Sequence, residues 1–475
     1  MIRFPIALAI IAATGPLLGG CTTTGAGGAG AGMVASAEAD APRAKNVILF
    51  IGDGMGISTI TAARIYAGQK LGQSGEEHVL PFETFDHVAL VKTYNTDAQV
   101  PDSAGTASAM HTGVKTRIGM LGIGPEAPRG DCRVGEEHHL PLLGEEVKRR
   151  GLALGIVSTA RLTHATPASV YARSVDRNWE MDGEIPSEQA NFGCRDIARQ
   201  LVDADFDLAL GGGRGTFYGS AGQGGRTREA DDLPAEWAAR TGGTVVATGA
   251  ALEAAPANRP VLGLFSPSHM TYSVDRTADS SEPTLTAMTA AAIERLRRDP
   301  EGYYLMVESG RIDHAHHAGQ AGYALEEAVE FANAIQYAID NTDPDETLIM
   351  VTADHSHVFT IAGYPRRGNR ILGLVEAPEG GGEDGPAGEG PVLAKDGKPY
   401  TTLGYANGPG AVAGERPVPE TGVDARQQAL VPLGSETHGG EDVALYAEGP
   451  GADAVKGVIE QNRIYDIIRR AFGWE

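Results

Sequence analysis

Three apolar runs constrain this chain more than any other feature, because each one ends in acids and histidines. The first is Asn46-Val47-Ile48-Leu49-Phe50-Ile51-Gly52, followed by Asp53-Gly54-Met55-Gly56. The second is Tyr304-Leu305-Met306-Val307-Glu308, followed by Ser309-Gly310-Arg311-Ile312-Asp313-His314-Ala315-His316-His317. The third is Leu348-Ile349-Met350-Val351-Thr352-Ala353, followed by Asp354-His355-Ser356-His357. Buried parallel strands read as continuous apolar runs, and open α/β sheets carry their chemistry at the carboxyl ends of strands. Runs that end in metal-ligand residue types therefore predict one metal-dependent catalytic edge. A further segment, Pro101-Asp102-Ser103-Ala104-Gly105-Thr106-Ala107, sets a serine among small residues behind an aspartate. That composition lets a bulky polar group approach closely.

Candidate ligands stretch from Asp53 to His438 in a chain of 475 residues. Residues so far apart must converge, so residues 45–475 are expected to form one large α/β domain with insertions. Further strands are expected at 153–157, 208–210, 261–265 and 443–446. Helical spacing of apolar residues marks 140–150, 188–202, 284–298 and 324–340. Strands alternating with such helices predict a mostly parallel sheet covered on both faces. Residues 380–390, rich in Gly, Glu and Pro, read as a surface loop inside an insertion at about 364–433. Gly211-Gly212-Gly213-Arg214-Gly215 lacks dinucleotide or P-loop spacing and reads as a tight turn after a strand. A formal charge of −23 argues against nucleic acid or an anionic membrane surface as partner. A phosphate site in such a chain must be made locally positive.

The first 20 residues read as a targeting segment. Arg3 precedes an apolar stretch at 6–18 that is too short to span a bilayer as a helix. Leu18-Gly19-Gly20-Cys21 resembles the lipobox of bacterial lipoproteins, in which the cysteine is lipidated and becomes the mature N-terminus. The alternative is a plain secretory signal with an incidental cysteine. Residues 21–44, rich in Gly, Ala, Ser and Thr, read as a flexible tether. Export to the periplasm or cell surface, with a lipid anchor at Cys21, is the expectation.

Taken together, D-G-M-G, P-D-S-A-G-T-A, E-x-G-R-I-D-H-x-H-H, T-A-D-H-S-H and E-T-H-G-G-E-D resemble the alkaline phosphatases, with wording nearest the animal-type branch. The resemblance runs from about Asn46 to about Gln461. It implies hydrolysis of small phosphomonoesters through a covalent phosphoserine, with two zinc ions and one magnesium ion. Asp313, His317 and His438 match the ligands of one zinc. Asp53, Asp354 and His355 match those of the second, and Asp53, Thr166 and Glu308 those of magnesium. Ser103 matches the nucleophile, activated by metal rather than by a partner base. Arg177 matches the phosphate-clamping arginine, with Asp102 to orient it and His164 in a supporting place. The resemblance also implies a homodimer, a crown-like form for the insertion, and a disulfide between Cys132 and Cys194. Export independently favours a disulfide for that pair, with two unpaired thiols as the alternative.

Taken singly, these residues have plainer readings. Asp53 alone would be a turn or helix cap, Ser103 a helix N-cap, His438 a surface histidine, Thr166 a loop residue and Arg177 a partner in a surface ion pair. The joint occurrence of the set overturns those readings. His314, His316 and His357 are left as supporting or surface groups. Departures remain: His164 and His314 stand where the enterobacterial form has aspartate and lysine, which bears on magnesium occupancy. Ser266 stands where animal-type enzymes place a calcium-binding glutamate, so calcium is not expected. The competing readings are a phosphodiesterase of the same superfamily and a non-catalytic metal-binding surface lipoprotein. Arg177 argues against the first, and the complete residue set argues against the second.

Overall fold

The structure is a computed structural model that describes residues 43–219, 232–381 and 390–474. The expected signal peptide, Cys21 and the tether up to residue 42 lie outside the described residues, as does most of the expected loop at 380–390.

Strands form at each predicted apolar run and at further places that the runs do not mark. In chain order these are β1 (Asn46–Gly52), β2 (His87–Lys92), β3 (Ala153–Arg161), β4 (Leu208–Gly212), β5 (Thr244–Val246), β6 (Val261–Leu264), β7 (Tyr303–Ser309) and β8 (Thr347–Ala353). They are followed by β9 (Ser356–His357), β10 (Phe359–Ile361), β11 (Leu403–Gly408), β12 (Gln428–Pro432), β13 (His438–Gly439), β14 (Val443–Glu448) and β15 (Gly457–Glu460). Among the described residues the main sheet has ten strands in the order β15-β2-β14-β8-β1-β7-β3-β4-β6-β5, of which β14 alone runs against the others. Every residue of β7 and β8 is buried, as the unbroken apolar runs require. The edge strand β15 and its neighbour β2 escape sequence reading because one face meets solvent: in β2, Val88 and Leu90 are exposed between Ala89 and Val91, which are buried.

Helices cover both faces. A Cβ on Gly144 of the helix Leu143–Arg149 would meet Leu154, whereas one on the adjacent strand residue Gly155 would meet Leu296 of the helix Leu285–Leu296. Successive strand residues point to opposite sides, so the two helices lie on opposite faces. The long helix Ala321–Asn341 buries Leu325, Ala328, Phe331, Ala332, Ile335 and Ala338 at three- and four-residue spacing. The helix expected over 188–202 is instead two pieces, Ser187–Ala190 and Ile197–Asp203. Gly193, at φ +96°, breaks the path, and the next residue forms the Cys132–Cys194 disulfide across a separation of 62 residues. The turn after β4 is tight as expected, with Gly213 at φ +96° leading into a short 3-10 helix. Within the expected insertion, β11 and β12 join β10, which precedes it, in a three-stranded sheet.

Candidate functional site

The register of the sheet assembles the site. Gly52, the last residue of β1, is level with Ser309 of β7 and Ala353 of β8. Asp53 and Asp354 therefore leave the sheet side by side, with Glu308 one residue short of the same edge. Gly54 turns at φ +71° and donates its N–H to Asp354 Oδ1 at 2.9 Å. A Cβ there would lie 2.3 Å from His357 Nε2, so this turn demands glycine. From the other side comes the helix Ser103–Thr112. Its cap is Asp102, whose Oδ1 accepts from Gly105 N at 3.1 Å, so Ser103 is the first helical residue rather than the cap. The two-residue ladder of β9 and β13 pairs His357 with His438 and carries the distant histidine into the cluster.

Asp313 and His317 share one face of the helix Arg311–His317, with Asp313 Oδ1 3.3 Å from His317 Nε2. His438 Nε2 is 3.1 Å from His317 Nε2 and 3.4 Å from Asp313 Oδ1. A second set gathers at His355 Nε2, which is 3.4 Å from Asp53 Oδ1, 3.3 Å from Asp354 Oδ2 and 3.1 Å from Ser103 Oγ. Ser103 Oγ is 3.5 Å from Asp53 Oδ1. Ligands about 2.0–2.1 Å from a tetrahedral zinc stand roughly 3.3 Å apart, so both sets fit that ion. A third set, made of oxygens, lies beside them. Asp53 Oδ2, Thr166 Oγ1 and Glu308 Oε1 are buried with no hydrogen bond of acceptable geometry. Asp53, Glu308 and His164 offer ligand atoms within 4.8 Å of one another. Orphaned hard oxygens of this kind fit a magnesium ion. Asp53 thus turns one oxygen to each of two sets.

The histidines sort by what their Nδ1 touches. Nδ1 of His317 faces the Glu436 carbonyl at 2.6 Å, that of His438 the Pro101 carbonyl at 2.8 Å, and that of His355 the Ser356 carbonyl at 3.2 Å. A carbonyl only accepts, so each Nδ1 carries the proton and each Nε2 offers its lone pair to the cluster. His357 is different. Its Nδ1 lies 2.6 Å from Glu436 Oε2 and its Nε2 3.0 Å from Asp313 Oδ1. Burial opposes the charge, but these two carboxylates push its pKa up to about 9. His357 is near the donor atoms as a cation that positions Asp313, and proximity alone does not make it a ligand. The sequence reading left His357 aside and missed Glu436, although Glu436 is the first residue of E-T-H-G-G-E-D. His316 is fully buried, between Thr59 and Tyr405, and is no surface group.

Charge at the site is poised for cations. Burial, then the neighbouring carboxylates, raise Asp53 well above the usual range. Burial raises Asp354 and pushes Glu308 up to about 7. Burial works the same way on Asp313, but His317, His357 and His438 hold it well below the usual range. Arg177 completes the surround. Its Nη1 donates to Asp102 Oδ2 at 3.0 Å and its Nη2 is 3.0 Å from His164 Nε2. All the predicted metal and catalytic residues therefore meet at one sheet edge.

A sequence profile described as alkaline phosphatase matches residues 44–473. The chain is 44% identical over 446 residues to the tissue-nonspecific alkaline phosphatase isozyme of Gallus gallus, covering 89% of this chain and 83% of that protein. The corresponding isozyme of Homo sapiens is 42% identical over 461 residues, covering 90% and 83%. Among solved structures, the alkaline phosphatase of Thermus thermophilus matches with a TM-score of 0.66 at 25% identity, over 91% of this chain and 92% of that one. The enzyme of the Antarctic bacterium TAB5 matches in fold, with a TM-score of 0.63 at 23% identity over 91% and 99%. With its motifs converging at one edge of a matching fold, the chain belongs to the alkaline phosphatase family.

Proposed function

We propose that the chain hydrolyses phosphate monoesters to alcohol and inorganic phosphate through a phosphoserine at Ser103. The observation that carries this is the meeting of Ser103 Oγ with His355 Nε2 at 3.1 Å and Asp53 Oδ1 at 3.5 Å. In this reading Asp313, His317 and His438 hold one zinc, Asp53, Asp354 and His355 a second, and Asp53, Thr166 and Glu308 a magnesium ion. When bound, the metals supply Lewis acidity that favours the ionised serine and stabilises the departing oxygen. Ser103 Oγ attacks phosphorus in line, the bond to the leaving oxygen breaks, and the alcohol departs with a proton. Water then attacks the phosphoserine and releases Ser103 and phosphate. Arg177 donates to two non-bridging oxygens throughout. Asp102 fixes Arg177 through one oxygen and caps the serine's helix through the other, and that helix turns its N-terminal amides to the phosphate.

The same reading makes the chain an exported lipoprotein anchored at Cys21, supported by Leu18-Gly19-Gly20-Cys21. It also makes it a homodimer, supported by the exposed Leu430, Val431 and Leu433 in and beside β12. Acid quenching of the enzyme during monoester turnover, followed by peptide mass spectrometry, should place phosphate on the Ser103 peptide. Turnover with phosphate on no serine would refute the mechanism. Metal analysis of the same sample should find zinc and magnesium.

A further inference from the structure

Near the end of the helix Ser103–Thr112 sits a buried histidine that the reaction above does not use. His111, Ser169 and Tyr304 are all fully buried, so their polar atoms must find partners inside the protein. His111 Nδ1 lies 3.0 Å from the Ala107 carbonyl of its own helix and 2.9 Å from Ser169 Oγ, and its Nε2 lies 2.9 Å from the Tyr304 hydroxyl. Ser169 Oγ in turn donates to the Thr166 carbonyl at 2.7 Å. Burial pulls the pKa of His111 down to about 4 and pushes that of Tyr304 up, so both are neutral near pH 7. The protons then have one consistent arrangement. The Ala107 carbonyl only accepts, so Nδ1 carries the imidazole proton and Nε2 accepts from the Tyr304 hydroxyl. Ser169 gives its single proton to the Thr166 carbonyl, so its oxygen accepts from Nδ1–H, which Ala107 shares. A directed chain of hydrogen bonds thus runs from Tyr304 through His111 and Ser169 to Thr166. Both ends of the chain meet the oxygen set of the site. Tyr304 and Glu308 lie on the same face of β7, and Glu308 and Thr166 each carry an orphaned side-chain oxygen. Thr166 belongs to the helix Ala165–Ala168, a single turn too short to hold its own position, in which Pro167 has no N–H to donate.

We propose that His111 is a positioning residue for the magnesium set, tying the turn that carries Thr166 to the serine's helix and to β7. The inference rests on the magnesium reading above and deepens it. Its test is magnesium binding to the zinc-loaded enzyme, measured by isothermal titration calorimetry with magnesium chloride. Ser169→Ala cuts the tie while His111 keeps Ala107, and should weaken magnesium binding by about three- to tenfold, the weight of one neutral hydrogen bond. His111→Leu combined with Tyr304→Phe replaces both members of a buried pair by apolar groups, a change that can be nearly neutral for folding. That double variant should also bind magnesium about three- to tenfold more weakly, with zinc content unchanged. Its kcat should fall at limiting magnesium and recover at saturating magnesium, with KM unaltered. A role in stability alone predicts instead a lowered thermal midpoint with wild-type magnesium affinity. Wild-type affinity in the folded double variant overturns the inference. If the double variant does not fold, wild-type affinity in Ser169→Ala overturns it. A wild-type enzyme that takes up zinc but no magnesium overturns the magnesium reading itself, and the inference falls with it.

Discussion

Replacing Arg177 with alanine should narrow the choice between monoester and diester even as it slows both. The guanidinium donates to Asp102 Oδ2 at 3.0 Å and stands 3.0 Å from His164 Nε2, and its side chain is only 19% exposed. Asp102 does not depend on it alone. Its Oδ1 also accepts from Gly105 N at 3.1 Å and from Asn95 Nδ2 at 3.0 Å, so the serine's helix keeps its cap in the variant. What disappears is the clamp on phosphate. A monoester dianion offers two free oxygens to the guanidinium, whereas a diester has one of them blocked by its second substituent. Each charge-assisted bond contributes about 1.5–3 kcal/mol, or roughly ten- to hundredfold in rate. kcat/KM for p-nitrophenyl phosphate should therefore fall by about a hundredfold or more, and that for bis-p-nitrophenyl phosphate by about tenfold. Arg177→Lys, which returns the charge without the fork, should fall between wild type and alanine. Zinc content should not change. Equal loss on both substrates, or loss of zinc, would show that Arg177 supports the fold or the ligands, and the clamp argument would fail.

Ser103→Ala should bind its metals normally and lose at least about a thousandfold in turnover, since the attacking oxygen is gone. Near-wild-type rates in metal-replete protein would reject Ser103 as nucleophile. Magnesium should stabilise the protein more at about pH 8 than at about pH 6, because metal ligands must be deprotonated and Glu308 titrates near 7. The sign follows from a folded pKa raised above the ordinary 4.5: in metal-free protein the Glu308 contribution is complete below that value and is lost as pH rises through about 7. Thermal midpoints with and without magnesium at the two pH values measure it, and a larger gain at the lower pH would contradict it. Reducing Cys132–Cys194 should lower stability by up to about 4 kcal/mol, the chain-entropy value for a loop of this length. Denaturant midpoints in oxidised and reduced protein that coincide would show the cross-link to be inconsequential.

The parts of the site that the residue pattern discloses are those carried on buried strands. β1, β7 and β8 are unbroken apolar runs, and their level registers alone bring Asp53, Glu308 and Asp354 together. Asp313 and His317 are equally open to reading, because a spacing of four on one helical turn is a geometric statement. Thr166 and Arg177 are not. Thr166 sits in the four-residue helix Ala165–Ala168 and Arg177 in a turn further on, both too short to carry a period that would mark them, and only likeness to a family singles them out. The helix expected over 188–202 shows the opposite failure. Its apolar spacing is real, but Gly193 and the neighbouring disulfide override local preference.

His355 and His357 mark where such reading ends. They are the same residue type, two positions apart, both fully buried and both within reach of the carboxylates. One has Nδ1 against a carbonyl, so its Nε2 lone pair is free to bind a metal ion. The other has a carboxylate at each nitrogen and is held as a cation. The difference is made by Glu436, which lies 79 residues from His357 in the chain. Glu436 matches none of the three ligand sets that the sequence predicts, yet its carbonyl fixes the tautomer of His317 while its carboxylate fixes the charge of His357. A residue of this kind acts through the protonation of others, and no spacing rule applied to metal ligands would select it. What exposes it is the question of where each imidazole proton must go, asked of every histidine in the cluster at once.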